Sequence, residues 1–151
     1  MRRVRETLIA VGTADDQFAD SAPANDPPWM AYYDAAQHNG DTGHALFDLA
    51  VQGRSGTEAT TRLTAAAAGH TAAFTRSRAI AATKLASLTM VIGDPSQAAA
   101  TGHAALDTAA TIRSHRAADD LRELARYALR HQQLREVAAL RQRINNLILA
   151  S

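Results

Sequence analysis

The sequence predicts an all-α protein, a short right-handed α-solenoid of about three to four antiparallel helix pairs. Three observations lead there. Alanine supplies much of the 46% hydrophobic content while aromatics reach only 5%, a balance that favours closely packed helices over sheets. Apolar residues recur at helical spacing along the chain, and no stretch reads as a convincing strand. Helix-to-helix turns also repeat: Gly93 follows Gly53 by 40 residues, and at that offset Ala45 aligns with Leu85, Leu46 with Ala86 and Ala66 with Leu106. In such an array each pair buries its apolar stripe only by stacking on its neighbours.

Taken in order, residues 1–22 form an N-terminal helix with Val4, Leu8, Val11 and Phe18 near one face and Gly12 as a weak point. Residues 23–28 form a linker, where Asp26 can cap the next helix and Pro27-Pro28 stiffens its entry. Residues 29–149 then hold the stacked pairs, in one domain spanning 1–151. Trp29 to Asn39 reads as a short helix ended by Gly40-Asp41. Residues 42–52 form the next, with Ala45, Leu46, Leu49 and Ala50 inward. Gly53-Arg54-Ser55-Gly56 is a turn, and Thr57 to His70 carries Ala59, Leu63 and Ala66.

The central pair, Arg76 to Arg113, organises the rest. Ala81, Leu85, Leu88 and Ile92 make one helical stripe. Gly93 suits a left-handed helix terminus, Asp94 can cap the next helix, and Pro95 occupies its first turn, where a missing N–H costs nothing. Ala98, Gly102, Ala105, Ala109 and Ile112 make a second stripe of mostly small residues, which lets helix axes approach closely. Ser114 or His115 opens a helix through Leu121, Leu124, Ala125 and Ala128. A break near His131 leads to the last helix, with Val137, Leu140, Ile144 and Leu147. The pairs 42–70, 76–113 and 115–149 read as copies of one unit.

Composition excludes several classes of function. Sixteen basic residues stand against fifteen acidic ones, for a formal charge of +1, so nothing favours nucleic acid or a membrane surface as a partner. Without cysteine there is no disulfide and no thiolate metal site. No apolar run approaches the ~18 residues of a membrane span. The start MRRVRETLIAVGTADD is a poor signal peptide. A cytoplasmic location is expected.

Within the central unit Leu85-Ala86, Gly93, Ala98 and Ala105 match the small-residue positions of a tetratricopeptide repeat. Thr89 stands where an aromatic is usual, and the closing proline is missing. The runs PPWMAYYDAAQHNGDTGHALFDLA, RSRAIAATKLASLTMVIGDPSQAAATGHAALD and IRSHRAADDLREL, in that order, carry a wider likeness. Over roughly residues 1–145 the chain resembles the C-terminal tetratricopeptide-like region of actinobacterial XRE-type helix-turn-helix transcriptional regulators. The resemblance implies the partner-binding or sensing half of a regulator. Such regulators carry an N-terminal DNA-binding domain. No segment here reads as one, so direct nucleic-acid binding is not carried over.

Several constellations are candidates for chemistry. Arg76, Arg78, Arg113 and Arg116 stand at the junctions between helix pairs. Stacking can bring their planar donor forks onto one edge, as anchors for an acidic peptide, a peptide C-terminus or a small anion. The competing reading is salt bridges between repeats to Asp119, Asp120 or Glu123. Tyr32 is a candidate partner contact, whereas Trp29 and Tyr33 are expected to plug the core. His44/Asp48 and His103/Asp107 each have the i, i+4 spacing of two metal ligands. Each pair is short of the three or four ligands that zinc takes, so they read as surface polar pairs and no metal or cofactor is expected. Arg126, Arg130, Arg135, Arg141 and Arg143 read as a solvated face. Val137, Leu140, Ile144 and Leu147, on a final helix with no next repeat to cover it, are candidates for a homodimer interface.

Catalysis has no motif behind it: no Gly-rich phosphate loop, no supported Ser/His/Asp set and no dense carboxylate cluster. The sequence therefore predicts a non-enzymatic module for protein or peptide interaction and sensing, binding a peptide or protein segment in a groove. The alternative is a free-standing scaffold or adaptor. A small metal-dependent enzyme requires His44, Asp48, His103 and Asp107 to converge.

Overall fold

The computed structural model describes residues 1–20, 28–69, 75–109 and 114–150. Among them are seven α-helices and no strand: α1 (Arg2–Asp20), α2 (Pro28–Val51), α3 (Gly56–Gly69), α4 (Thr75–Ile92), α5 (Pro95–Ala109), α6 (His115–Ala128) and α7 (Arg135–Leu149). A 3-10 turn, Leu129–His131, precedes α7 at the break expected near His131. The expected linker falls outside the described residues except for Pro28, which opens α2. The side chains of Trp29, Tyr32 and Tyr33 also lie outside them.

One expected boundary is corrected. The two helices predicted on either side of Gly40-Asp41 are a single 24-residue helix, α2. Glycine here serves close packing rather than termination. A Cβ on Gly43 would stand 2.9 Å from Leu63 Cγ and 3.3 Å from the Leu63 backbone nitrogen, and one on Gly69 would stand 3.2 Å from Ala36 Cβ. A Cβ on Gly40 would meet Ala66 Cβ at 3.7 Å. Positions 36, 40 and 43 thus meet 69, 66 and 63, which sets α2 and α3 antiparallel with their backbones nearly touching. Thr42, inside the same stretch, returns its hydroxyl to the His38 carbonyl at 2.7 Å, so it adds no break.

The turns follow from their residues. Gly53 ends α2 with φ +84°, donating to Ala50 O at 2.9 Å while Arg54 donates to Leu49 O at 2.8 Å. That is a Schellman closure. Gly93 works differently from expectation. Gly53 alone among the described glycines has positive φ, and a Cβ on Gly93 would crowd Thr89 Cγ2 at 3.0 Å and Thr89 O at 3.2 Å. Asp94 caps α5 as predicted, its Oδ1 accepting from Ser96 N at 2.9 Å. Ser114 caps α6 by accepting from Ala117 N at 3.1 Å.

Packing centres on α4, which lies against α2, α3, α5 and α6. Its Ala86 and Met90 join Ala98, Leu106, Leu121, Leu124, Val137, Leu140 and Ile144 in one core. Its Leu88 joins Val11, Leu46, Phe47, Leu49 and Leu63 in a second. This placement corrects the expected dimer face. Val137, Leu140 and Ile144 are 0% exposed within the single chain, and Leu147 packs against the same core. The last helix turns its stripe back onto α5 and α6, leaving Leu149 exposed at its end.

The two glycines of α2 give opposite expectations. Gly43→Ala forces a Cβ against the α3 backbone and should cost about 1–3 kcal/mol. Gly40→Ala meets only ordinary contact, gains helix propensity, and should be neutral or stabilising by up to about 1 kcal/mol. Urea unfolding of both variants beside the parent checks the pair.

Candidate functional site

Three helices present stripes of the same spacing that carry polar residues among apolar ones. On α2 the stripe is Gln37, Asp41, His44 and Asp48; on α4 it is Ser77, Ala81, Lys84 and Leu88; on α6 it is Arg116, Asp120, Glu123 and Tyr127. Steps of four, three and four residues keep each set on one helix face. Because α4 packs on both α2 and α6, the stripes lie beside one another.

At one end they enclose a cleft of ≈ 80 Å³ lined by Gln37, Gly40, Asp41 and His44 from α2, Ser77, Ile80 and Ala81 from α4, and Arg116 from α6. Gln37 Nε2 donates to Asp41 Oδ1 at 2.9 Å. Burial holds the His44 imidazolium far below its ordinary range, to about 4, helped by the positive charges of Arg116 and Lys84 and opposed by Asp41. His44 is therefore neutral at pH 7, with one ring nitrogen donating and the other accepting.

Further along, Lys84 joins α4 to α6. Its Nζ donates to Glu123 Oε1 at 2.6 Å, stands 3.6 Å from Asp120 Oδ1, and sits 4.3 Å above the Phe47 ring centroid. Burial pushes the Asp120 carboxyl above its usual range, against the pull of Lys84 and Arg116. One ammonium thus serves two half-buried carboxylates and the face of an aromatic ring.

The described members of the arginine cluster expected from sequence, Arg76, Arg78 and Arg116, are not brought together. Arg116 joins the cleft, but Arg78 lines a separate groove with Ala67, Ala79, Ala82, Thr101 and Ala104, between α3, α4 and α5. Arg76 is exposed, and Arg113 lies outside the described residues. The reason is helical geometry: the α4 face turned to α2 and α6 carries Ser77, Ala81 and Lys84, not Arg76 or Arg78. The bridges foreseen for the arginines are made by Lys84, while Asp119 pairs with Arg122 at 2.9 Å. Sequence reasoning passed over Lys84, Gln37 and Ser77. The signal was present, since Ser77 follows Gln37 and Lys84 follows His44 by the same 40 residues that separate the two turn glycines.

The His103/Asp107 pair is held by α7. Arg143 donates to the His103 carbonyl at 3.1 Å, lies 3.3 Å from its Nδ1 and pairs with the Asp107 carboxylate. Arg141 Nε donates to Ala125 O at 3.1 Å. Two members of the supposed solvated arginine face therefore fasten α7 to its neighbours. Among the described residues no three His, Asp or Glu side chains are grouped to hold a metal ion.

A second polar cluster fastens α1. Arg62 spans both oxygens of Asp15 at 2.8 and 2.6 Å and donates to Thr42 Oγ1 at 2.8 Å. His38 Nε2 lies 2.7 Å from Asp15 Oδ1, and the His38 ring stacks on Phe18 at 4.4 Å between centroids. Chiefly through the Arg62 fork, Asp15 is held down to about 2. Bidentate geometry of this kind fixes orientation as well as charge.

No family model, curated protein or solved structure matches this chain.

The state of His44 has a pH consequence. Its folded value of about 4 lies below the ordinary 6.5, so the unfolded chain takes up the proton first. Stability is full above about pH 6.5 and falls as the pH drops toward 4. Between pH 7 and 4.5 the parent should lose on the order of 2 kcal/mol more than His44→Leu. Urea unfolding at the two pH values checks this, and the His44 Cε1 proton resonance should not titrate above about pH 5.

Proposed function

We propose that the chain is a recognition module of tetratricopeptide-like architecture that binds a peptide or protein segment along the face shared by α2, α4 and α6. One observation carries the reading: three contacts between the second helix pair, α4–α5, and the third, α6–α7, share one repeat length. Lys84 meets Glu123 across 39 residues, Ser96 Oγ donates to Glu136 at 2.6 Å across 40, and Arg143 meets His103 across 40. In each case the first helices of neighbouring pairs, or the second helices, run alongside each other. That is the relation expected of stacked α4–α5 and α6–α7 units, and α2 packs on α4 as the first helix of a preceding unit would.

Such stacking sends one face of every first helix to a common surface. Here that surface carries Gln37, Asp41, His44, Ser77, Lys84, Arg116, Asp120 and Glu123, a mixture of donors, acceptors and both charges. Recognition through oriented polar groups above a rigid helical base needs no catalytic group. The sequence likeness to the C-terminal region of XRE-type regulators supports a regulatory role for this recognition, with the segment bound here coupled to a DNA-binding domain. A helix-turn-helix reading frame adjoining the coding sequence is expected on that view. A scaffold role predicts no such neighbour.

The binding claim is tested by selecting from a random peptide display library against the immobilised chain, then mapping the selected peptide by nuclear magnetic resonance. The expected result is enrichment whose amide shifts cluster on α2, α4 and α6, with affinity falling about tenfold or more in Arg116→Ala. Absence of enrichment, or shifts confined to the α3–α5 side, contradicts the reading.

A further inference from the structure

The cleft at the end of the α2–α4–α6 face contains a combination that an extended segment alone does not explain. Its lining includes Gly40, Ile80 and Ala81. The same lining holds two exposed formal charges of opposite sign on different helices, Arg116 on α6 and Asp41 on α2. Asp41 is engaged by the Gln37 amide at 2.9 Å, which leaves its carboxylate a further acceptor. The charge of Arg116 also acts on Asp120, one turn further along α6. The Ser77 hydroxyl and the His44 imidazole line the same cleft, uncharged groups that can each donate or accept.

This arrangement discriminates by charge. A simple anion drawn to Arg116 would also face the Asp41 carboxylate. A simple cation drawn to Asp41 would face Arg116. Either one leaves a like charge opposed beside it, and that repulsion works against binding. Only a ligand with both charges a few bonds apart is matched on both sides. Size points the same way: ≈ 80 Å³ is well below the ~300 Å³ or more that holds a drug-sized molecule, yet sufficient for a compact head group.

We infer that this cleft is a binding site for the zwitterionic head group of a free α-amino acid, its carboxylate on Arg116 and its ammonium on Asp41. Ser77 and the neutral His44 supply hydrogen bonds between the two charges, and the side chain of the ligand projects along the shared face toward Lys84. The inference rests on the reading that the α2–α4–α6 face is the recognition surface, and it supplies what that surface senses.

The test uses the full 151-residue chain and the twenty common amino acids, first in pools and then singly at millimolar concentration. The readout is the His44 Cε1 proton resonance. At least one amino acid is expected to shift it saturably. Its N-acetyl and its C-terminal amide derivatives should each bind about tenfold or more weakly, as should Arg116→Gln and Asp41→Asn. Thermal unfolding of both variants confirms that they keep the parent fold. No shift with any of the twenty, equal binding of both blocked derivatives, or parent-like binding by both variants overturns the proposal. Should library-selected peptides still map to α2, α4 and α6 after such a failure, the recognition face stands and the zwitterion site falls. Saturable amino-acid binding without any peptide enrichment leaves the zwitterion site standing and removes the peptide-binding face.

Discussion

Everything in this fold depends on α4 being surrounded. A helix in contact with α2, α3, α5 and α6 has little room for long side chains. The chain answers with Ala79, Ala81, Thr83, Ala86 and Ser87, all buried. Facing residues are small as well, with Ala98, Ala99 and Ala105 on α5. Short interaxial distances follow from small residues at the contact. Thr83 shows how polarity is tolerated there, because its hydroxyl returns to the Ala79 carbonyl at 2.8 Å and asks nothing of its neighbours. A helix apolar on most sides belongs in an interior, and α4 is that helix here.

Once α4 is fixed between α2 and α6, its remaining polar stripe has one place to go. Lys84 emerges where Glu123 and Asp120 approach from α6 and Phe47 from α2, so its charge is shared rather than solvated. Taking such groups partly out of water is costly, and one partner cannot be lost without stranding the other. The same logic governs Arg62, which fastens α1 through Asp15, and Arg143, which fastens α7 through His103 and Asp107. Long basic side chains thereby join helices that alanine packing alone would leave free to slide. Among the described residues Arg116, Asp41, Ser77 and His44 make no such bridge between helices, and they line one cleft.

Much of the helical layout was legible in the sequence because capping and turn residues act locally. Gly53, Asp94 and Ser114 mark real boundaries, and Ala59, Leu63 and Ala66, like Leu121, Leu124, Ala125 and Ala128, are inward as their spacing requires. Gly40 misled because glycine at a turn and glycine at a close helix crossing look alike until the partner helix is known. The stripe of α7 misled for a related reason: whether Val137, Leu140 and Ile144 face a second copy or their own core is decided by the tilt of one helix. At the candidate site Arg116 and His44 were legible as unusual residues. Their association was not, since it depends on α2 and α6 reaching α4 from opposite sides. Lys84 was hidden by its ordinariness, as a lone lysine in an alanine-rich helix.

With α4 as the centre about which the other helices are arranged, native-state hydrogen exchange reads the hierarchy directly. Amides of α4 from Ala81 to Met90 should be the slowest in the chain, exchanging only by global unfolding, while those of α1 open at lower free energy because Val11 is its one buried residue. Exchange of α4 ahead of α5 or α6, by local opening at a free energy well below global unfolding, would contradict the central role of α4.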